Sequence, residues 1–181
     1  MRGLLATLLL IVFGTAAAEG PRVAIIIDDL GYHLANGKRA INLPGAVSFS
    51  FLPGSPRAQV LAELAHDLGK DILLHLPLQA HRDDTRREPS EIHIDMSRAR
   101  VSAVFNEALT SVPHVIGINS HRGSLLTRHP GHMQWVMEEI RARENLFFID
   151  SYTHHGSNAL QIDRENCVTA MRRDVFLDQD P

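Results

Sequence analysis

The stretch Val23-Ala24-Ile25-Ile26-Ile27-Asp28-Asp29-Leu30-Gly31-Tyr32 decides how this chain is read. Its apolar, β-branched run has the length and character of a buried strand. The run ends in two adjacent carboxylates, and Gly31 permits a sharp exit. Side-by-side acids at the end of a buried strand repel each other and lose hydration. A metal ion or a shared proton removes that penalty. The pair therefore points to one metal ligand and one acid/base group at the carboxyl end of a first strand.

Outward from this strand, β-like and α-like segments alternate. Residues 24–27, 46–52, 72–76, 115–118, 146–149 and 175–177 read as strands. Helical periodicity falls in residues 57–68, with Val60, Leu61, Leu64 and Leu68 on one face, Ser55 as cap before Pro56, and Gly69 as stop. It returns in 97–110 (Val101, Val104, Phe105, Leu109), in 132–143 (Trp135, Val136, Ile140) and in 158–166. Residues 80–90 are polar and read as a solvated loop. This order predicts an α/β fold, a largely parallel sheet with helices outside. Working residues in such folds lie at the carboxyl ends of strands. Asp28, Asp29, His75, Asn119, His121, Asp150 and Asp178 all fall there.

Residues 1–18 have the form of a secretory signal. Arg2 supplies the charge, Leu4 to Phe13 the apolar stretch, and Ala16-Ala17-Ala18 the small-residue cleavage site. The apolar stretch is short of the roughly 20 residues a membrane span needs. The expected mature chain is residues 19–181, one domain, exported across the inner membrane and periplasmic in a Gram-negative cell. The single Cys167 rules out an internal disulfide and a thiolate zinc cluster, and reads as a small core residue. A net charge of −3 with no basic run argues against nucleic acid as a partner. Eleven histidines favour metal or acid/base chemistry.

Asp29, His75 and His121 come from three different strands. Two imidazoles and one carboxylate suit a zinc-like ion with an open position for water. Asp28, beside the ligand, suits a general base. Each residue also has a plainer reading. One aspartate can cap the turn after the strand, although that leaves the second unexplained. His75 can be a hydrogen-bonded core histidine, His121 a surface residue of a polar turn, and Asp150 a cap. The pairs His154-His155 and His129 with His132 read as mostly surface. There is no Gly-x-Ser-x-Gly elbow, phosphate loop or dinucleotide fingerprint.

Five ordered segments carry a resemblance. They are Ile27-Asp28-Asp29-Leu30-Gly31-Tyr32, Leu74-His75-Leu76-Pro77-Leu78, Gly117-Ile118-Asn119-Ser120-His121-Arg122-Gly123-Ser124, Phe148-Ile149-Asp150-Ser151-Tyr152-Thr153 and Arg173-Asp174-Val175-Phe176-Leu177-Asp178. Together they resemble the divergent polysaccharide deacetylase family, over residues 23–178. The resemblance implies a distorted (β/α) barrel and hydrolysis of an acetyl group from a carbohydrate, with a divalent metal, most simply zinc. By match of motif, Asp28 is the base and Asp29, His75 and His121 are the metal ligands. Asp150 orients a neighbour or acts near the leaving group, and Asn119 and Ser120 are assigned to substrate binding.

Two departures stand out. The His-x-x-x-His motif of the wider superfamily is broken here, because Gln79 stands where a second histidine would follow His75; His121 is the candidate replacement. Similar chains also run on past the Asp-Val-Phe-Leu-Asp motif into further β/α units, including a late Gly-His-Pro segment that supplies a catalytic histidine. The expectation is therefore an incomplete barrel with exposed edges, lower stability and weak or no activity. Two rival readings follow. One is a non-catalytic glycan-binding or envelope-assembly protein, which the sparse aromatics disfavour. The other is a metal hydrolase acting on another substrate such as a phosphoester.

Overall fold

The computed structural model describes residues 22–81 and 88–178. Residues 1–18, read above as an export signal, and most of the 80–90 loop lie outside them. Strands and helices alternate: β1 (Ile25–Leu30), α1 (Leu34–Ile41), β2 (Val47–Phe51), α2 (Ala58–Asp67), β3 (Ile72–Leu78), α3 (Arg98–Thr110), β4 (Gly117–Arg122), α4 (Pro130–Arg141), β5 (Phe147–Asp150), α5 (Ala159–Asn166) and β6 (Ala170–Arg172). Every pairing is parallel, and the strands lie side by side in chain order, with β1 and β6 as the edges of the described sheet. A doubly wound open sheet reverses its order at a switch point. The unbroken order seen here is barrel-like winding.

Period-two alternation gives each strand two faces. Register puts Phe51 beside Leu74, Leu74 beside Ile118, and Ile118 beside Phe148. These residues belong to the buried core together with Leu61, Ala62 and Ala65 of α2, Val101, Val104 and Phe105 of α3, and Met133, Val136, Met137 and Ile140 of α4. The opposite face carries Ser50, His75 and Asn119 beside Leu73, Gly117 and Ile149. So one face of the sheet holds the hydrophobic stabilisation, and the other is left for chemistry.

The structure departs from the sequence-based expectations at several points. Helix α1 lies outside the expected elements. It buries Gly37 and Ile41, a short apolar face interrupted by a glycine. Gly37 is there for close approach: a Cβ would lie 2.5 Å from Leu61. The last strand is Ala170–Arg172, pairing with β5, and not residues 175–177. Val175 and Leu177 are 67% and 76% exposed, outside any strand, and Asp178 with them is exposed. Sheet membership there is set by backbone pairing that no apolar pattern announces. Cys167 is exposed, not core, and closes α5 in the left-handed conformation.

In α2 the buried positions are Ala58, Leu61, Ala62 and Ala65, while Val60 and Leu68 face solvent. Small side chains let this helix sit close to the sheet. Ser55 does not cap it; its hydroxyl donates to Leu52 O at 2.7 Å, and the helix starts after Arg57. Gly69 does end α2, at φ 66°. His132 is buried, not surface: Trp135 packs on its ring, and Nε2 faces Met96 O at 3.1 Å. Burial pushes its pKa down.

Candidate metal centre

The site begins with a bulge in β1. Register with β2 advances from Ile27–Phe49 to Leu30–Phe51, so β1 carries one extra residue. Asp29 absorbs it at φ 60°. Aspartate tolerates this left-handed conformation better than most residues, because its short polar side chain can bond locally. Strict alternation would turn Asp28 and Asp29 to opposite faces of the sheet. The bulge instead brings both carboxylates to the face that carries His75 and Asn119. Gly31, at φ 130°, makes the exit turn beneath Ser55.

β3 and β4 supply the histidines. His75 pairs with Asn119 and Pro77 with His121 in the ladder, so the two rings stand one pleat apart on adjacent strands. Their centroids are 4.7 Å apart. His75 Nε2 lies 3.3 Å and His121 Nδ1 3.0 Å from the same oxygen, Asp29 Oδ1. One ligand atom from each of the three residues lies within 4.8 Å of the others. An ion with bonds of about 2.0–2.1 Å in tetrahedral array spaces its ligands by roughly 3.3 Å. The two separations from Asp29 Oδ1 fit that. His75 is buried, while the Asp29 side chain is 64% exposed, which leaves an approach from solvent. The donor set therefore fits a divalent ion with an open position.

Electrostatics support the grouping. His121 first, then His75, hold the Asp29 carboxyl well below the usual carboxylate range. Burial of His75 opposes its charged form. The hydrogen bond that His75 donates to Asp29, the charges of Asp28 and Asp29, and the contact with Asn119 outweigh this and raise its pKa.

Asn119 lies behind the cluster. Its Nδ2 donates to Asp28 Oδ1 at 2.8 Å, and its Oδ1 faces His75 Nδ1 at 2.9 Å and accepts from the Ser50 hydroxyl. Asn119 and Ser120 are 2% and 1% exposed, and both side chains engage protein groups. Ser120 Oγ accepts from Ser151 N at 3.1 Å. Asp150 is buried, outside the ligand cluster, and its Oδ1 accepts from Tyr152 N at 2.9 Å. Alternation places it on the face of Phe148, not that of Ile149 and Asn119.

Gln79 is engaged elsewhere: its side chain accepts from Ile94 N at 2.9 Å, and its carbonyl accepts from Leu125 and Leu126. His121 thus stands as the second ring. Sequence reasoning missed the part of Ser50 and the buried Glu91, whose carboxylate lies 3.2 Å from His93 Nε2 and 3.7 Å from Arg122 Nη1, next to His121. The signal for Ser50 was present: it is a polar residue at an alternating position of a strand.

A family model for divergent polysaccharide deacetylases matches residues 25–181. The chain belongs to this family. Membership suggests a carbohydrate-related role and, with the Asp29/His75/His121 cluster, a divalent metal. The chain is 34% identical over 177 residues to the uncharacterized protein YibQ of Escherichia coli, covering 98% of this chain and 54% of that protein. It is 35% identical to an uncharacterized protein of Haemophilus influenzae, covering 93% of this chain and 61% of that one. The chain therefore spans little more than half the length of these relatives. Among solved structures, the uncharacterized protein ATU2773 of Agrobacterium tumefaciens superposes with a TM-score of 0.85 at 23% identity, covering 91% of this chain and 68% of that chain. This likeness establishes the barrel-like fold.

Proposed function

We propose that this chain is a metal-dependent hydrolase that removes acetyl groups from an envelope polysaccharide or a related carbohydrate. The observation that carries the reading is the convergence of Asp29, His75 and His121 on one point, with the second carboxylate, Asp28, alongside. Asp29, His75 and His121 would hold the ion, for which zinc is the best chemical match. When bound, such an ion polarises the acetyl carbonyl and makes water a better nucleophile near neutral pH.

The protein groups do the rest. Asp28 takes a proton from the attacking water and returns it to the departing sugar nitrogen or oxygen. The new bond joins the water oxygen to the acetyl carbon. The C–N or C–O bond to the sugar breaks, and acetate leaves. Asn119 holds Asp28 in place through its amide. Asp150 acts at one remove, by fixing the Ser151–Tyr152 turn that packs on Ser120. Asn119 forms part of the floor under the substrate, and Ser120, on the opposite face of β4, supports it through the Ser151 backbone. Residues 1–18 would direct the chain out of the cytoplasm, with the periplasm as its working compartment. Among the described residues no helix is long and apolar enough to cross a membrane.

The test is acetate release from N-acetylated and O-acetylated oligosaccharides by zinc-loaded protein, beside Asp28→Asn. Asparagine can keep an oxygen toward Asn119 but cannot take the proton. The expected loss is about 10²–10⁴-fold in rate with metal content unchanged. Sugar binding without acetate release from any substrate would favour the non-catalytic glycan-binding reading instead.

A further inference from the structure

Asn119 joins the base to a ligand through both ends of one amide. Its Nδ2 donates to Asp28 Oδ1. An ionised carboxylate only accepts, so this end must be the nitrogen; the flipped amide would set oxygen against oxygen. The other end, Oδ1, takes the Ser50 hydroxyl and faces His75 Nδ1 at 2.9 Å. An amide oxygen has no proton to give, so His75 Nδ1 must carry one. In the neutral ring the lone pair then sits on Nε2, the atom 3.3 Å from Asp29 Oδ1.

We propose that Asn119, aligned by Asp28 and Ser50, is a positioning residue that locks His75 as its Nδ1–H tautomer and so aims the Nε2 lone pair at the ion shared with Asp29 and His121. The proposal rests on the metal reading above and adds to it the group that sets the ligand's tautomer. With a neutral ring the arrangement is self-consistent only with a cation between His75 and Asp29, because a lone pair otherwise faces a carboxylate oxygen. It also links two functions: the amide that orients the ligand is the one that orients the base. Partners that fix a ligating histidine in this way usually change metal affinity about 10–100-fold when removed.

The experiment compares wild type, Asn119→Ala and Asn119→Asp. Asn166→Ala serves as control, since Asn166 is equally buried but bonds Gln134 and Ile162. Two readouts are taken on protein with ¹⁵N-labelled histidine. The first is the ring-nitrogen spectrum of His75 with zinc bound, which separates an Nδ1–H ring held through Nε2 from an Nε2–H ring held through Nδ1. The second is zinc affinity by chelator competition. Wild type should show Nδ1–H. Asn119→Ala should lose that tautomer preference and bind zinc about 10–100-fold more weakly. Asn119→Asp should retain the tautomer, because its carboxylate still accepts from Nδ1–H, and Asn166→Ala should change neither readout. An Nε2–H ring in wild type, or an unchanged ring and affinity in Asn119→Ala, would overturn the proposal. A wild type that binds no zinc would contradict the metal reading, and the proposal with it, whereas zinc binding that Asn119→Ala leaves unchanged would overturn the proposal alone.

Discussion

Asp29→Asn separates the ligand role of this position from its backbone role. Asparagine tolerates the left-handed φ of 60° about as well as aspartate, so the bulge in β1 survives. The Asp29 side chain is largely exposed, and water replaces its lost contacts. Metal-free stability should therefore change by less than about 1 kcal/mol. The anionic ligand, however, is gone. For wild type, zinc at about 100 times its Kd stabilises the fold by about 2.7 kcal/mol. At about 2–4 °C per kcal/mol for a domain of this size, Tm rises by roughly 5–11 °C. If the substitution weakens binding about a hundredfold, the same zinc concentration only matches Kd. The stabilisation then falls to about 0.4 kcal/mol, or roughly 1 °C. The assay is thermal unfolding of chelator-stripped protein with and without zinc, followed by circular dichroism. A zinc-induced shift in Asp29→Asn as large as that of wild type would refute the ligand assignment.

Other perturbations test the surrounding structure. Gly31→Ala places a Cβ 1.8 Å from Ser55 Oγ at φ 130°. Backbone strain alone should lower stability by about 1–3 kcal/mol, and adding Ser55→Gly should restore only part of the loss in urea unfolding. His75 has a folded pKa above its ordinary 6.5, so its contribution to metal-free stability is full below that value and is lost as pH rises through the folded value. The difference in Tm between wild type and His75→Gln should accordingly shrink from pH 6 to pH 9 without metal; a difference that grows with pH would contradict the raised pKa. Leu76→Ala, at a fully buried position between sheet and helices, should cost about 2–5 kcal/mol, and a loss below 1 kcal/mol by denaturant titration would mean that the core is not packed as described.

The first strand and the parallel order were legible because each rests on a strong local signal, and Asp29, His75 and His121 could be picked out by residue type although they form no local motif. An apolar run ending in Asp28-Asp29 makes little physical sense without a cation or a shared proton, and His75 stands out within an otherwise apolar strand. What was not legible depended on backbone conformation. Nothing in the residue pattern separates a bulge at Asp29 from a plain strand end, yet that bulge is what lets both aspartates face the site. Helix α1 hides because Gly37 in its middle serves a close contact with Leu61, not helix propensity. The edge strand Ala170–Arg172 pairs through its backbone while Met171 stays exposed, and the more apolar Val175-Phe176-Leu177 carries the stronger strand signal without joining the sheet. Asn119 stands out in the sequence as a polar residue at a strand end, but its role emerges only from the ladder that sets it beside His75.

Whether Asp29, His75 and His121 form a metal site is tested most directly by the metal content of the purified chain. It is measured by elemental analysis after reconstitution and dialysis, beside His121→Ala. The predicted result is about one divalent ion per chain in wild type and its loss in the variant. A wild-type chain that retains no metal, or a variant that retains as much as wild type, would contradict the assignment.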